Sequence, residues 1–300
     1  MTGRDVNVVG IGGGHGLAAT LKAARTYASN VSAVVTVADD GGSSGRLTRE
    51  LGIPPPGDIR NCLVALSDNH ELSRLYQHRF ETGALTGHTV GNLVIAALTE
   101  IEGNFGAAVA RAGRLLDCRG SVYPATTEPL ELYAEIHGGR VKGQVAVAQT
   151  EAPINAVFIE PQDPPAYEPA VQAIIEADQI VLGPGSLFTS LIATLLVPGI
   201  RRALVATSAH RVLVCNTRMQ KGETEGLDAA AHIGALLAHI GPNCVDAVVV
   251  QVPQLHDGGV EVDDGALGFY GVEVTQEDMA TPEGTHDPER LAGVLRKLSK

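Results

Sequence analysis

The chain has 300 residues, room for one large α/β domain or two smaller ones, and its 44% hydrophobic content suits a well-buried fold. Lys and Arg number 22 against 34 Asp and Glu, a formal net charge of −12, and no basic run or stripe stands out, so a nucleic-acid partner is not expected. This balance leaves nucleotide binding open, because backbone N–H groups and helix N-termini can hold phosphate on an acidic protein.

Residues 6–11 form a short apolar run that ends in glycines. Residues 17–28 have helical composition and residues 31–37 form a second apolar run, so the three segments predict a βαβ unit with a parallel strand pair. Residues 39–61, DDGGSSGRLTRELGIPPPGDIRN, are polar, Gly-rich and Pro-rich, and are expected to form a long irregular connection. A compact domain rarely keeps such a connection unless it binds something. Helices are predicted at 59–66, 71–80, 88–101 and 105–114. From 115 to 161 the character changes. Residues 130–136 and 141–149 read as strands joined by Gly138-Gly139, a hairpin signal, and 154–161 as a further strand. This region is expected to be a small antiparallel β insertion, about 115–161, in a single domain spanning 1–300. Beyond it the composition predicts a helix at 168–177, a strand at 179–182, a helix from Ser186, strands at 203–206, 211–215 and 246–251, and a helix at 228–240. The fold class is α/β, a doubly wound, mostly parallel sheet.

Cys62, Cys118, Cys215 and Cys244 are isolated and form no Cys-x-x-Cys pair, which argues against a zinc ribbon or a thioredoxin-like site. The start, MTGRDVNVVGIGGG, lacks the charged and apolar regions of a secretory signal. The longest apolar stretch, 187–200, carries Thr189, Ser190 and Thr194 and stops near Pro198, too short and interrupted to span a bilayer. A cytoplasmic protein with reduced cysteines and no membrane span is therefore expected.

In open parallel sheets ligands bind beyond the carboxyl ends of the strands, and three such ends carry unusual chemistry. The first is Gly10-Ile-Gly-Gly-Gly-His-Gly16, in which Gly12, Gly13, Gly14, His15 and Gly16 are candidate phosphate contacts. It departs from GxGxxG and lacks the Gly-Lys-Ser/Thr of a Walker A loop. The second is the 39–61 stretch. Asp39 and Asp40 stand where a ribose-binding or Mg²⁺-holding acid would, Ser43, Ser44, Arg60 and Asn61 are polar contacts, and Asp58 is either a helix cap or a ligand. The third is Gly183-Pro-Gly-Ser186 before a helix, with Gly183, Gly185 and Ser186 as candidates. Two glycine loops of this kind suit a ligand with two anionic or polar ends, such as a nucleotide diphosphate sugar. Weaker elements are Cys215-Asn-Thr-Arg-Met-Gln220 with Asn216 and Thr217, the following Gly222-Glu-Thr224, and Gly87-His-Thr-Val-Gly-Asn92 with Asn92. A structural hydrogen bond is the reading for His88.

The segments VVGIGGGHGL, VVTVADDGGSSGRLTRELGIPPPGDIRNCLVAL, HTVGNL, VLGPGSLFTS and CNTRMQKGET resemble, in order, the signature segments of the YvcK or gluconeogenesis-factor family, within the CofD-like superfamily of 2-phospho-L-lactate transferases. The resemblance covers roughly residues 5–255. It implies a Rossmann-like fold with a nucleotide pocket at the strand ends and a UDP-sugar ligand such as UDP-N-acetylglucosamine. It also implies a regulatory role in cell shape, peptidoglycan synthesis and gluconeogenic growth, a homodimer, and protein partners in cell-wall regulation. The enzymatic branch implies an alternative, a transfer of a phosphoryl-linked group from a nucleotide to an acceptor hydroxyl, with Mg²⁺ held by Asp39, Asp40 and Asp58. No cofactor is required by the first reading. One departure stands out: the family's first loop more usually reads GGGTG, and His15 replaces the threonine.

Other chemistries fit less well. Gly41-Gly-Ser-Ser-Gly45 matches G-x-S-x-G formally, but two aspartates precede it and a long loop is expected after it, unlike a nucleophile elbow. None of the six tyrosines has Lys four residues later, so a common dehydrogenase pair is missing. His232 and His239, seven apart, are read as packing or solvent-facing residues.

Overall fold

The computed structural model describes residues 5–299, so residues 1–4 of the stretch read for a secretory signal lie outside the described residues. Its main sheet has seven strands: β1 (Asn7–Gly12), β2 (Asn30–Val35), β3 (Ser121–Pro124), β7 (Gln179–Leu182), β8 (His210–Val214), β9 (Ala247–Gln251) and β10 (Glu273–Glu277). Their order is β10-β9-β8-β7-β1-β2-β3, and every pairing is parallel. A second sheet, β5-β4-β6, is antiparallel and is built from β4 (Glu131–Ile136), β5 (Gly139–Lys142) and β6 (Ile154–Glu160). The expected class is therefore correct. The central strands are buried on both faces, as their near-continuous Val, Ile and Leu demand.

From β1 the chain runs one way through β2 and β3 and returns to run the other way through β7 to β10. The crossovers between parallel strands carry the helices. Helix α1 (Gly14–Ala24) packs on α3 (Gly57–Leu66) and on the carboxyl-terminal helix Pro288–Leu298, whereas Glu168–Ile175 packs on Pro198–Ala206. The reversal of order lies between β1 and β7, and there the crevice of an open α/β sheet opens.

Four local expectations need correction. Residues 39–61 are not an irregular connection: α2 (Gly42–Leu51) occupies ten of them, and α3 starts at Gly57. The buried face of α2 is made of Ser43, Ser44, Gly45 and Leu47, so it carries almost no hydrophobic periodicity to read. Gly45 is required there, since a β-carbon would stand 1.8 Å from the Asp40 carbonyl oxygen. Residues 203–206 are the end of helix Pro198–Ala206, with Pro198 in its first turn and Ile200, Ala203 and Leu204 buried. The strand expected at 141–149 ends at Lys142. Gly143 turns the chain at φ 94° into α7 (Gln144–Ala148). Finally, β3 belongs to the main sheet, so the antiparallel unit covers only 131–160 of the expected insertion.

Remaining helices of use below are α4 (His70–Gln77), α5 (Val90–Glu102) and α6 (Phe105–Leu115), side-chain capped by Asn69, Thr89 and Asn104. Among the described residues no single helix is long and apolar enough to cross a membrane. The pieces Leu187–Leu195 and Pro198–Ala206 are bent by 77°.

Candidate functional site

The turn after β1 is squeezed from two sides. Gly13 is the N-cap of α1, and a β-carbon on it would lie 2.4 Å from Asp58 Oδ2. On Gly16 a β-carbon would lie 2.3 Å from the Pro184 carbonyl oxygen, and one on Gly12 would lie 3.8 Å from Gly183 Cα. The two glycine turns are therefore in backbone contact, and Thr20 Oγ1 donates to the Gly183 carbonyl at 2.8 Å. The N-cap residue of α1, Gly13, has no side chain to cap it. The Gly14 N–H reaches Asp58, while those of His15 and Gly16 have no protein acceptor among the described residues. His15 is exposed.

Asp58 faces this turn, and Asp39 acts on it electrostatically. Burial raises the Asp58 carboxyl to about 7, helped by the charge of Asp39 and opposed by the Gly14 N–H and by Arg60. Burial also raises Asp39, against hydrogen bonds from the Gly41 N–H and the Ser44 hydroxyl. Asp40 turns elsewhere. Its Oδ1 accepts from the Val145 N–H at 2.9 Å, so it caps α7 across 105 residues of sequence. Among the described residues no three His, Cys, Asp or Glu side chains are grouped to hold a metal ion. The acids expected to act as a trio are thus a pair and a cap.

Behind the acids lies a buried polar network. Arg60 donates to Thr89 Oγ1 (2.6 Å), Asn92 Oδ1 (3.0 Å) and Asn61 Oδ1 (2.8 Å). Asn92 Nδ2 donates to Ser43 Oγ at 3.1 Å, and Ser43 Oγ lies 3.0 Å from His88 Nδ1. Ser44 Oγ accepts the Gly57 N–H at 3.1 Å. These contacts lock α2, α3 and the start of α5 to one another, and they spend Ser43, Asn61 and Asn92 inside the protein.

The second glycine turn differs from expectation. Ser186 stands at the N-cap position of the π-helical turn Leu187–Ile192 but makes no capping bond. Glu223 takes that place: it accepts from Thr189 Oγ1, from the Phe188 N–H at 3.3 Å and from the neighbouring N–H groups of Leu187 and Thr189. A carboxylate of the protein thus fills the anion position at this helix end. Asn216 clamps the turn by accepting from Gly185 N and donating to Gly185 O, both at 2.9 Å, and Gln220 Nε2 donates to Ser186 Oγ at 3.3 Å. Thr217 Oγ1 donates to the Gly284 carbonyl at 2.6 Å.

A cleft of about 520 Å³ opens beside α1 at these strand ends. Of the predicted residues it brings together His15, Gly16, Gly185, Asn216 and Thr217. The sequence reading misses Lys22, Thr285 and His286 in its lining; Arg218 in the lining and Glu223 behind it fall in segments that it marked only as weaker elements. Lys22 was within reach, since it lies seven residues after His15 on the same face of α1; Thr285 and His286 arrive only through tertiary folding. A larger cavity, about 810 Å³, lies at the opposite, amino-terminal ends of β1, β2 and β3, away from this chemistry.

The family described as 2-phospho-L-lactate transferase CofD matches residues 8–279. A gluconeogenesis factor from Halalkalibacterium halodurans is 44% identical over 84% of the chain and 79% of its own length. Another, from Bacillus subtilis, is 39% identical over 99% of both chains. A crystal structure of a UPF0052-family protein from Bacillus halodurans superposes with a TM-score of 0.95 at 38% identity, covering 98% of this chain and 99% of that one.

Proposed function

Since the chain belongs to the CofD family and stands with its gluconeogenesis factors, we propose that it binds a nucleotide sugar of the UDP-sugar class in the cleft beside α1. On this reading it is a cytoplasmic regulatory protein tied to gluconeogenic growth, cell shape and peptidoglycan synthesis, acting through cell-wall protein partners and as a homodimer. The observation that carries the binding reading is the amino end of α1 at the sheet's reversal point, with two N–H groups that have no protein acceptor among the described residues, beside a cleft of about 520 Å³. Lys22 and Arg218 line that cleft and supply cationic donors on an acidic protein.

A second reading, transfer of a phosphoryl-linked group from a nucleotide to an acceptor hydroxyl, is favoured by the Asp39–Asp58 pair. Two buried carboxylates, both raised by burial and with Asp39 raising Asp58 further, suit a divalent cation shared with ligand phosphate, and Mg²⁺ would there neutralise developing charge. In that case Asp39 and Asp58 would hold it and Asp40 would keep α7 in place.

Titration of UDP-N-acetylglucosamine into the full chain, followed by thermal unfolding and by analysis of the recovered ligand, tests both readings. At a hundredfold excess over Kd the first expects about 2.7 kcal/mol of stabilisation with the ligand recovered intact. Absence of any shift at millimolar ligand removes it, and Mg²⁺-dependent consumption of the nucleotide in the presence of an acceptor favours the second.

A further inference from the structure

Arginine chemistry gathers outside the cleft, where the α2 helix meets the segment that joins α4 to α5. Arg46 of α2 donates from Nη2 to the Thr86 carbonyl at 2.6 Å, and Arg79 donates from Nη1 to the adjacent Gly87 carbonyl at 2.5 Å. The two guanidinium groups therefore converge on neighbouring peptide units. Gly87, at φ +83°, permits this approach: a β-carbon on it would sit 3.3 Å from Arg46 Nη2. Arg60 lies beneath, only 6% exposed, bonded to neutral groups and with its Nε unpartnered. Arg79 acts electrostatically on Arg60, and Arg46 on His88. Glu50 also reaches His88 electrostatically. Yet among the described residues none of these arginines is in an ion pair with any carboxylate.

Guanidinium groups that converge on adjacent peptide units present like charge to the same surface, and an anion between them is attracted by both. Each exposed guanidinium uses one N–H on a carbonyl and keeps a fork of donors for a tetrahedral oxyanion. We propose that Arg46 and Arg79 over the Thr86–Gly87 turn, backed by Arg60, form a second anion site that takes a phosphoryl group of a small molecule other than the nucleotide. The site adjoins the Asp39 wall through α2, whose Ser43 is linked to His88 and Asn92. It does not rest on the nucleotide reading, because no residue of the α1 cleft enters it.

Calorimetric titration of inorganic pyrophosphate into the full chain tests the proposal, with succinate as a carboxylate control and Lys22→Ala as a control at the other cleft. The Arg46→Gln/Arg79→Gln double variant is expected to weaken pyrophosphate binding at least tenfold, with Lys22→Ala changing it less than threefold. Unchanged binding in the double variant, no binding to the wild-type chain, or a loss confined to Lys22→Ala overturns the site. Succinate binding as tightly as pyrophosphate overturns its phosphoryl assignment. Should the double variant lose its far-UV spectrum, Arg46→Lys/Arg79→Lys keeps the charge but not the fork, and a threefold or greater loss there supports the site while no loss overturns it. Affinity for UDP-N-acetylglucosamine is read separately and is expected to stay within twofold in the arginine variants and to fall in Lys22→Ala.

Discussion

The two glycine turns look alike in sequence, each a strand, a glycine run and a helix, yet they end differently. After β1, α1 starts from a glycine N-cap, with one N–H held by Asp58 and two N–H groups without a protein acceptor among the described residues. After β7, the helix end is filled by Glu223, which gathers several donors. A glycine-rich strand-to-helix turn is therefore only half of an anion site; the other half is what the rest of the chain places opposite the helix end. The first turn is open toward a ligand. The second is built as a stiff wall, clamped by Asn216 and pressed on Gly16.

That contrast can be broken at three points. Gly16→Ala attacks the contact between the turns: its β-carbon would meet the Pro184 carbonyl at 2.3 Å, backbone against backbone, with no flexible side chain to yield. A loss of about 3 kcal/mol in urea unfolding is expected, against about 1 kcal/mol for Gly14→Ala, which has open space but φ +64°. Glu223→Ala removes the internal anion and leaves buried donors on Phe188 and Thr189 unpaired. About 2 kcal/mol should be lost, with partial recovery in Glu223→Gln; equal stability of all three chains would mean that the second helix end needs no carboxylate.

The smallest effect concerns Asp58. Its pKa in the folded chain is about 7, above the ordinary carboxylate value of about 3.9. Folding therefore binds a proton between those values, and this group's contribution to stability is fully present below pH 4 and is lost as pH rises through 7. Asp58→Asn, in buffer with a chelator, should gain melting temperature over the wild-type chain at pH 8 and lose that advantage at pH 5. A constant difference across that range would show that Asp58 is not held protonated by its burial.

Much of the fold was legible because parallel strands buried on both faces announce themselves. The runs at 6–11, 31–37, 179–182 and 246–251 all lie in the main sheet, and the Gly138-Gly139 hairpin joins β4 to β5 as expected. Elements whose burial is not hydrophobic stayed hidden. Helix α2 buries serines and a glycine, and α7 exists where Asp40, 105 residues away, supplies a cap for its first turn. The short apolar run at 203–206 has no period long enough to separate strand from helix, and Pro198 decided it.

For the site, glycine positions and acids were visible as residue types, but their division of labour was not. Asp39 and Asp58 pair, Asp40 leaves to cap a helix, and Ser43, Asn61 and Asn92 go into an internal network around Arg60. Composition, periodicity and signature segments determined on their own that this is a doubly wound α/β protein of the CofD family, because strand burial and glycine turns are local properties. Which helix end stays open, which carboxylate closes the other, and which arginines stand unpaired were decided only by tertiary structure, because each depends on a partner brought from far along the chain.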